Sequence, residues 1–350
     1  MPYVLLIAGL TALVVGAETL VRGATRLATS FGVSRLVVGL TVVAFGTSAP
    51  ELVVSVGSAL SGNANIAVGN VVGSNIANIL LIVGASALVL PIVVVSRVVR
   101  WDVPLMIAVS LVFSVLALDG RLSRFDGWLL LAGIFGYTGW QLRQGRQAPE
   151  SDVEQPSGAG TPRWGAVGLV VLGLGALWLG GRSFVAGSVS LARAWGLSEL
   201  VIGLTIVAVG TSLPEMATSL VASVRGESDL AVGNIVGSNV FNILAVMGAS
   251  ALLAPEAIAI APTALRFDIP VMVAAAVVCL PIVFTGGVVA RWEGAMLLGY
   301  YGAYVGFVIG SVRLPTLAPY FGRWVVWVVL PVTLVTLGLS VFASIRARRS

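Results

Sequence analysis

The chain has 350 residues, of which 58% are hydrophobic and only 10% are charged, and its mean hydropathy is +1.03. A soluble domain carries about 25% charged residues, so this composition excludes a soluble globular protein and indicates an integral membrane protein. The 20 basic residues, all arginines, are scattered among short segments, so the net charge of +5 does not mark a nucleic-acid-binding surface. The chain has no histidine and a single cysteine, Cys279, which excludes a histidine proton relay and a disulfide.

Apolar runs of the roughly 20 residues needed to cross a bilayer predict eleven transmembrane helices. The first run lacks a basic leader and a small-residue cleavage site, so we interpret it as a helix and not as a signal peptide. In chain order the predicted spans are about 3–21, 36–60, 65–95, 103–119, 126–142, 165–184, 200–224, 229–254, 269–287, 294–312 and 324–343. Residues 143–164 are polar and rich in Pro, Gly and Ser, which predicts a linker.

The sequence contains a long internal repeat. Gly39–Glu51 returns as Gly203–Glu215 with 10 of 13 positions identical, and Ile66–Ser86 returns as Leu230–Ser250 with 14 of 21 identical, both at an offset of 164. Five spans per copy is an odd number, so the second copy would enter the membrane from the opposite side, as in many secondary transporters with a binding site near the midplane. We therefore predict an all-α polytopic membrane protein of two inverted five-helix repeats plus an eleventh helix, divided into residues 1–142, 143–164 (a cytoplasmic linker), 165–312 and 313–350 (the extra helix and a basic tail).

The arginines also predict an orientation. If the N-terminus lies outside, 13 of the 20 arginines fall in cytoplasmic segments. The excess of basic residues on the cytoplasmic side therefore predicts an external N-terminus and a cytoplasmic C-terminus, in the inner membrane of a bacterium.

Two acidic residues lie well inside predicted spans, and they are repeat equivalents: Glu51 and Glu215. Pro50 and Pro214 precede them, and a proline obstructs the carbonyl four residues earlier, here that of Gly46 or Gly210. Hydroxyls lie three and four residues before each glutamate, and each following helix carries polar residues spaced four apart. These are Thr47, Ser48, Thr211 and Ser212, then Asn70, Ser74 and Asn78 with their equivalents Asn234, Ser238 and Asn242.

Carboxylates, hydroxyls, amide oxygens and loosened carbonyls form a set of hard oxygen donors, which suits Ca²⁺ or Na⁺ and does not select zinc or copper. The alternative is that both glutamates are structural and hydrogen-bonded across the bundle. Charged residues inside a membrane usually mark an ion pathway or binding site, which favours the functional interpretation. Asn75 and Asn239 lie off the ligand face, where they would instead satisfy backbone groups between helices.

The remaining acidic residues are interpreted as structural. Glu18 and Arg22 are spaced for an ion pair on one helix. Two aspartates that each stand two residues before a proline are expected to be helix N-caps, and two acidic residues beside aromatics are expected at helix starts, where the dipole favours them. Asp102 and Asp268 are the expected N-caps, and Asp126 and Glu293 are the residues expected at helix starts.

The paired blocks G-T-S-x-P-E and G-N-x-x-G-S-N-x-x-N resemble the two alpha repeats of the calcium/cation antiporter superfamily, in particular its sodium/calcium exchanger branch. The resemblance covers residues 3–312 and implies ten helices in two inverted halves, with helices 1 and 6 sliding past a core of helices 2, 3, 7 and 8. It implies as ion ligands Glu51, Glu215, Thr47, Ser48, Thr211, Ser212, Ser74, Ser238, Asn78 and Asn242, with the carbonyls of Ala44 and Ala208. Some members carry Asp at one of the positions held here by Asn78 and Asn242, so this site carries at most two negative charges.

The function expected from these residues is exchange of Ca²⁺ for Na⁺ by alternating access. The alternative is a Ca²⁺ or other divalent cation antiporter coupled to H⁺, and a cation channel fits less well because the pseudo-twofold lies within one chain. We expect neither enzymatic activity nor a cofactor, with inorganic cations and the lipid bilayer as the only partners and a functional monomer.

Overall fold

The computed structural model describes residues 2–146, 163–195, 208–284, 287–313 and residue 338, and these residues are mostly helical. The predicted eleventh helix, most of the linker and the beginning of the span predicted at 200–224 lie outside the described residues. The helices are α1 (Pro2–Phe31), α2 (Arg35–Thr47), α3 (Ala49–Leu60), α4 (Ala64–Val89), α5 (Val98–Leu116), α6 (Arg124–Arg146), α7 (Arg163–Ala194), α8 (Ala208–Gly210), α9 (Leu213–Val224), α10 (Ser228–Leu253), α11 (Ala264–Asp268 continuing as Ile269–Phe284) and α12 (Arg291–Arg313).

Six of the described helices are long and apolar enough to cross a membrane, or seven if the bent pair α2–α3 forms one span. They confirm the prediction of an integral membrane protein built from helices. Each of the ten spans predicted between residues 3 and 312 overlaps a described helix, but the one predicted at 65–95 is helical only to Val89 and is followed by a short strand, Ile92–Val93. Helix extends to Arg146 on one side of the predicted linker and begins again at Arg163 on the other.

Helices α1 and α7, which are repeat equivalents, lie against each other in opposite directions. A Cβ atom on Gly9 would lie 2.5 Å from the backbone nitrogen of Phe184, and one on Gly23 would lie 2.8 Å from that of Val170. As the residue number rises along α1 it falls along α7, so the pair is antiparallel. The same close approach recurs in reverse at Gly173 beside Leu20, Gly180 beside Leu13 and Gly187 beside Leu6.

Helices α2 and α10 also meet at backbone distance. A Cβ on Gly233 would lie 2.8 Å from the carbonyl oxygen of Leu36 and 3.1 Å from the Cα of Gly39. One on Gly237 would lie 2.7 Å from the Cβ of Ala44. Small residues allow such close approach of membrane helices, and here they bring the polar face of α10 against the end of α2.

Two separate hydrophobic clusters stabilise the bundle. The smaller one joins α1 and α7 to apolar residues of α2, α9 and α10, such as Val43, Leu213 and Leu230. The larger one occupies the space among α2 to α6 and α10 to α12, with Phe113, Ile76 and Leu130 among its fully buried side chains. The α1–α7 pair is therefore packed largely as a unit beside the main body of the bundle.

Four short strands, which the sequence did not predict, tie loops of the two halves together. The strands are β1 (Ile92–Val93), β2 (Arg121–Leu122), β3 (Ile258–Ala259) and β4 (Val288–Val289). β1 pairs antiparallel with β4 and β2 with β3. Each pair joins one strand from each half.

The prediction that Asp102 and Asp268 cap helices is wrong. Both lie within continuous helices, because the preceding residues already form wider π-helical turns at 98–102 and 264–268. The Asp102 carboxylate is buried and accepts a hydrogen bond of 2.6 Å from Gln141 Nε2, and Asp268 accepts one of 3.1 Å from the hydroxyl of Tyr304. These aspartates therefore join helix α5 to α6 and α11 to α12.

The other structural assignments are confirmed. Asp126 and Glu293 accept hydrogen bonds of 2.7 Å from the backbone nitrogens of Ser123 and Ala290 at the starts of α6 and α12. Arg22 donates to Glu18 at 2.9 Å. Glu18 is also paired with Arg225 at the end of α9, which links the α1–α7 pair to the neighbouring helix.

Replacing Gln141 by Leu is expected to destabilise the protein. Gln141 is fully buried and is the hydrogen-bond donor to the Asp102 carboxylate. A buried acceptor that loses its donor costs about 1–3 kcal/mol, so the melting temperature in detergent should fall. Gln144 on the same helix is exposed, and Gln144→Leu is the matched control. Equal melting temperatures for the two variants would contradict this role.

Candidate cation site

Both glutamates follow breaks in helices. Ser48 has φ −80° and ψ 4°, and Ser212 has φ −87° and ψ 8°, outside the helical region. The cause is local: Pro50 and Pro214, the second residues of α3 and α9, cannot continue the hydrogen-bond ladder of the helix before them. The axes of α2 and α3 diverge by 45° at this point. Each break places a glutamate in the first turn of the new helix.

The two carboxylates are fully buried, and each accepts a hydrogen bond from a serine of the other half. Ser48 Oγ donates to Glu215 Oε1 at 3.0 Å, and Ser212 Oγ donates to Glu51 Oε1 at 3.2 Å. Each residue of both pairs is at most 2% exposed. These crossed hydrogen bonds bring the two carboxylates into one buried hydrogen-bonded cluster.

Ser74 on α4 extends this site. Its hydroxyl lies 3.5 Å from Glu51 Oε1 and 3.2 Å from Ser212 Oγ. Its equivalent Ser238 on α10 is fully buried, and its Oγ has no hydrogen-bond partner. The two serines therefore differ in their hydrogen bonding although they occupy equivalent positions in the repeat.

Asn70 and Asn234 support the broken helices with their amide groups. Asn70 Nδ2 donates to the carbonyl of Glu51 at 3.2 Å and to Ser55 Oγ at 2.9 Å. Asn234 Nδ2 makes the equivalent bonds to Glu215 at 3.4 Å and to Ser219 at 3.0 Å. Both asparagines lie on the polar face predicted from the sequence, but their contacts hold the backbone in place.

Ser55 and Ser219 did not emerge from the sequence as part of the site. The signal was present, because each stands four residues after its glutamate in both copies. They are fully buried and anchor the supporting asparagines.

Thr47 and Thr211 also contact these asparagines. Thr47 Oγ1 donates to Asn234 Oδ1 at 3.1 Å, and Thr211 Oγ1 donates to Asn70 Oδ1 at 3.3 Å. The hydroxyl proton of each threonine is therefore used in a hydrogen bond to an asparagine, and the lone pairs of the hydroxyl oxygen remain available to coordinate a cation. The carbonyl of Ala44 accepts from the backbone nitrogen of Ser48 at 3.0 Å. Ala208 begins the short helix α8.

Five buried side-chain oxygens of the predicted ligand residues have no hydrogen-bond partner among the residues that the structure describes. They are Glu51 Oε2, Glu215 Oε2, Asn78 Oδ1, Asn242 Oδ1 and Ser238 Oγ. A buried polar group without a partner is costly, and oxygens of these types are the ligands that hard cations take. Asn78 and Asn242 each begin a π-helical turn, at 78–83 and 242–247, a local widening that is frequent at functional sites.

The electrostatics also favour a cation. Within the part of the chain that the structure describes, neither Glu51 nor Glu215 pairs with an arginine, and no group of three or more His, Cys, Asp or Glu side chains converges as a metal site. Two negative charges surrounded by neutral oxygens match alkali or alkaline-earth ions, since transition metals favour nitrogen or sulfur ligands.

Two mainly apolar cavities lie between helix α7 and the helix breaks. One, of about 390 Å³, is lined by residues that include Thr47, Pro50 and Trp178. The other, of about 430 Å³, is lined by residues that include Thr211, Pro214 and Trp178. Each cavity therefore reaches a threonine next to the carboxylate pair.

A bundle of apolar helices that buries a cage of oxygen ligands at paired helix breaks has the construction of a secondary cation transporter. Comparison with known proteins places the chain more narrowly. The family model described as sodium/calcium exchanger protein matches residues 1–143 and 165–310. The chain belongs to this family, which consists of membrane exchangers and not of enzymes.

Individual relatives are similar over nearly the whole chain. CaxA of Alkalimonas amylolytica is 41% identical over 314 residues, which cover 87% of this chain and 96% of CaxA. The inner membrane protein YrbG of Escherichia coli is 40% identical over 286 residues, 78% of this chain and 86% of YrbG. The solved structure of the sodium-calcium exchanger NCX_Mj superposes with a TM-score of 0.75 at 29% identity, covering 89% of this chain and 98% of NCX_Mj.

Proposed function

We propose that this protein exchanges Ca²⁺ for Na⁺ across the membrane and that Glu51 and Glu215 together bind the ions. The observation that carries the proposal is the cage itself: within the described residues, two buried carboxylates lie beside serine hydroxyls of the opposite half and have no arginine partner. Membership in the sodium/calcium exchanger family supports the choice of ions. The remaining ligands are Thr47, Ser48, Ser74, Asn78, Thr211, Ser212, Ser238 and Asn242, with the carbonyls of Ala44 and Ala208.

The architecture that we propose is a ten-helix core of two five-helix halves with opposite orientation in the membrane, followed by an eleventh helix. The antiparallel contact of α1 with α7 and the matched pairings of the short strands support it. We place the N-terminus outside and the C-terminus in the cytoplasm of a bacterial inner membrane, which the arginine distribution and the similarity to an inner membrane protein support. One chain contains the whole cage, so a monomer suffices.

Mutually exclusive occupancy of the cage would couple the two ions. One Ca²⁺ bridging Glu51 and Glu215 neutralises both charges, and Na⁺ ions at overlapping oxygens do the same. An empty pair of buried carboxylates is costly and would resist the transition between the two accessible states. Only the loaded protein would then move, with the α1–α7 pair sliding over α2, α9 and α10. The apolar cluster that holds this pair on those helices is distinct from the larger cluster of the bundle, which supports this division.

Transport by reconstituted protein tests the coupling ion. We expect proteoliposomes loaded with Na⁺ to take up Ca²⁺ from a Na⁺-free medium when the pH is equal on both sides. Uptake driven only by a pH gradient would overturn Na⁺ coupling and assign protons to the carboxylates. Uptake without either gradient or any counter-ion would contradict exchange and indicate a channel. The control is an equal quantity of protein-free liposomes.

A further inference from the structure

A chain of hydrogen bonds runs from a backbone carbonyl to the cage through Asn75. Asn75 Nδ2 donates to the carbonyl oxygen of Asn239 at 3.2 Å and lies 3.7 Å from the sulfur of Met272. Asn75 Oδ1 accepts a hydrogen bond of 3.1 Å from Asn242 Nδ2. All three asparagines are at most 2% exposed. The sequence placed Asn75 off the ligand face, and it does contact backbone of the other half, as predicted.

The backbone carbonyl fixes the direction of this chain. A carbonyl oxygen accepts hydrogen bonds and cannot donate, so the NH₂ end of Asn75 must face Asn239. The oxygen end of Asn75 must then face Asn242, so Asn242 has to donate a hydrogen bond to it through its own NH₂ group. The Asn242 oxygen is therefore left on the far side of the amide, where Oδ1 is buried without a partner.

We infer that Asn75 is a positioning residue that makes Asn242 present its oxygen, and not its NH₂ group, to the cation. The inference rests on the proposed function, since it concerns the same cage. The two ends of an amide are nearly equal in size, so steric fit alone does not choose between them. Only the oxygen end can coordinate a cation, and groups that orient a ligand in this way strongly affect metal affinity.

This orienting contact exists on one side of the pseudo-twofold only. Asn239, the equivalent of Asn75, donates to the Ile235 carbonyl of its own helix at 2.8 Å. Asn78, the equivalent of Asn242, has no hydrogen-bond partner at either end of its amide among the described residues. Asn242 is thus pre-oriented as a ligand, whereas Asn78 is free to turn.

The test is the Ca²⁺ dependence of exchange by Asn75→Ala and Asn239→Ala. In Asn75→Ala the Asn242 amide loses its orientation, so the KM for Ca²⁺ should rise about 10- to 100-fold, with the rate at saturating Ca²⁺ largely kept. Asn239→Ala is the matched control, because it removes an equally buried amide that contacts only its own helix. Its KM should stay near that of the wild type.

A double variant separates positioning from a merely structural role. In Asn242→Asp both side-chain ends are oxygens, so orientation no longer matters. Adding Asn75→Ala to that background should cause no further rise in KM, whereas a structural role would lower transport in both backgrounds alike. Equal losses in both backgrounds, or a wild-type KM in Asn75→Ala, would overturn the inference.

Direct binding of ⁴⁵Ca²⁺ to the purified protein distinguishes this outcome from failure of the proposed function. A wild type that binds Ca²⁺, together with Asn75→Ala of equal affinity, would overturn only the role of Asn75. A wild type that binds no Ca²⁺ would overturn the proposed function and the inference together. Weaker binding by Asn75→Ala than by Asn239→Ala would support both.

Discussion

Glu51→Gln and Glu215→Gln are each expected to abolish Ca²⁺ transport while the protein still folds. Each substitution keeps the shape of the side chain but removes one of the two negative charges that face the ion. Loss of one partner from a buried charge pair costs about 3–5 kcal/mol, roughly a 100- to 4,000-fold loss of affinity. Ca²⁺-dependent uptake into proteoliposomes should therefore fall to the level of empty liposomes.

Two measurements guard this prediction against trivial explanations. Glu293→Gln alters a glutamate that is equally buried, at 2% exposure, but lies at the start of α12, where an amide oxygen can still accept from Ala290. Its transport should be near normal.

In thermal unfolding, Ca²⁺ should stabilise the wild type, because a ligand of the folded state raises the melting temperature, and should fail to stabilise either cage variant. Near-normal transport by Glu51→Gln or Glu215→Gln would contradict a shared carboxylate site.

Gly173→Ala is expected to disrupt the packing of α7 on α1. The added Cβ would lie 2.6 Å from the backbone nitrogen of Leu20 and 2.8 Å from its Cα, distances that only separation of the two helices can relieve. Overpacking of this kind costs about 1–3 kcal/mol. A lower melting temperature in detergent, with reduced yield of folded protein, should follow.

Gly175 provides the control two residues away on the same helix. It is exposed, and a Cβ there would meet no atom of the described chain within 4 Å. Because alanine favours a helix over glycine by about 1 kcal/mol, Gly175→Ala should be neutral or slightly stabilising. Equal destabilisation by both variants would show that the effect does not come from contact with α1.

The sequence alone was sufficient to predict the features of the structure that depend on composition and on the internal repeat. Long apolar runs have few alternatives to transmembrane helices, so the helices lie where they were predicted. The 164-residue offset predicted that Glu51 and Glu215 would share a site, and each glutamate does accept a hydrogen bond from a serine of the other copy. The breaks at Ser48 and Ser212 followed from the prolines, whose effect on a helix is local.

Other features depend on packing that the sequence alone does not reveal. Asp102 has the local signature of an N-cap, but π-helical turns extend its helix backwards and direct the carboxylate to Gln141 on another helix. The spacing of polar residues on α4 predicts that Asn70 and Asn78 lie on the same face of the helix. It does not predict that the Asn70 amide donates a hydrogen bond to the backbone carbonyl of Glu51. The difference between Asn75 and Asn239 is invisible in two nearly identical motifs, because it arises where the copies meet.

The crossed hydrogen bonds between Ser48 and Glu215 and between Ser212 and Glu51 have a consequence for inheritance. Each copy of the duplicated segment carries the hydroxyl that the other copy's carboxylate requires, so a half-length polypeptide holds an acid and a donor that do not serve each other. A mutation of Ser48 removes a hydrogen bond from Glu215, which lies 167 residues away in the other copy. Natural selection therefore acts on the two copies as a single unit, and neither copy can drift away from the other without loss of the site.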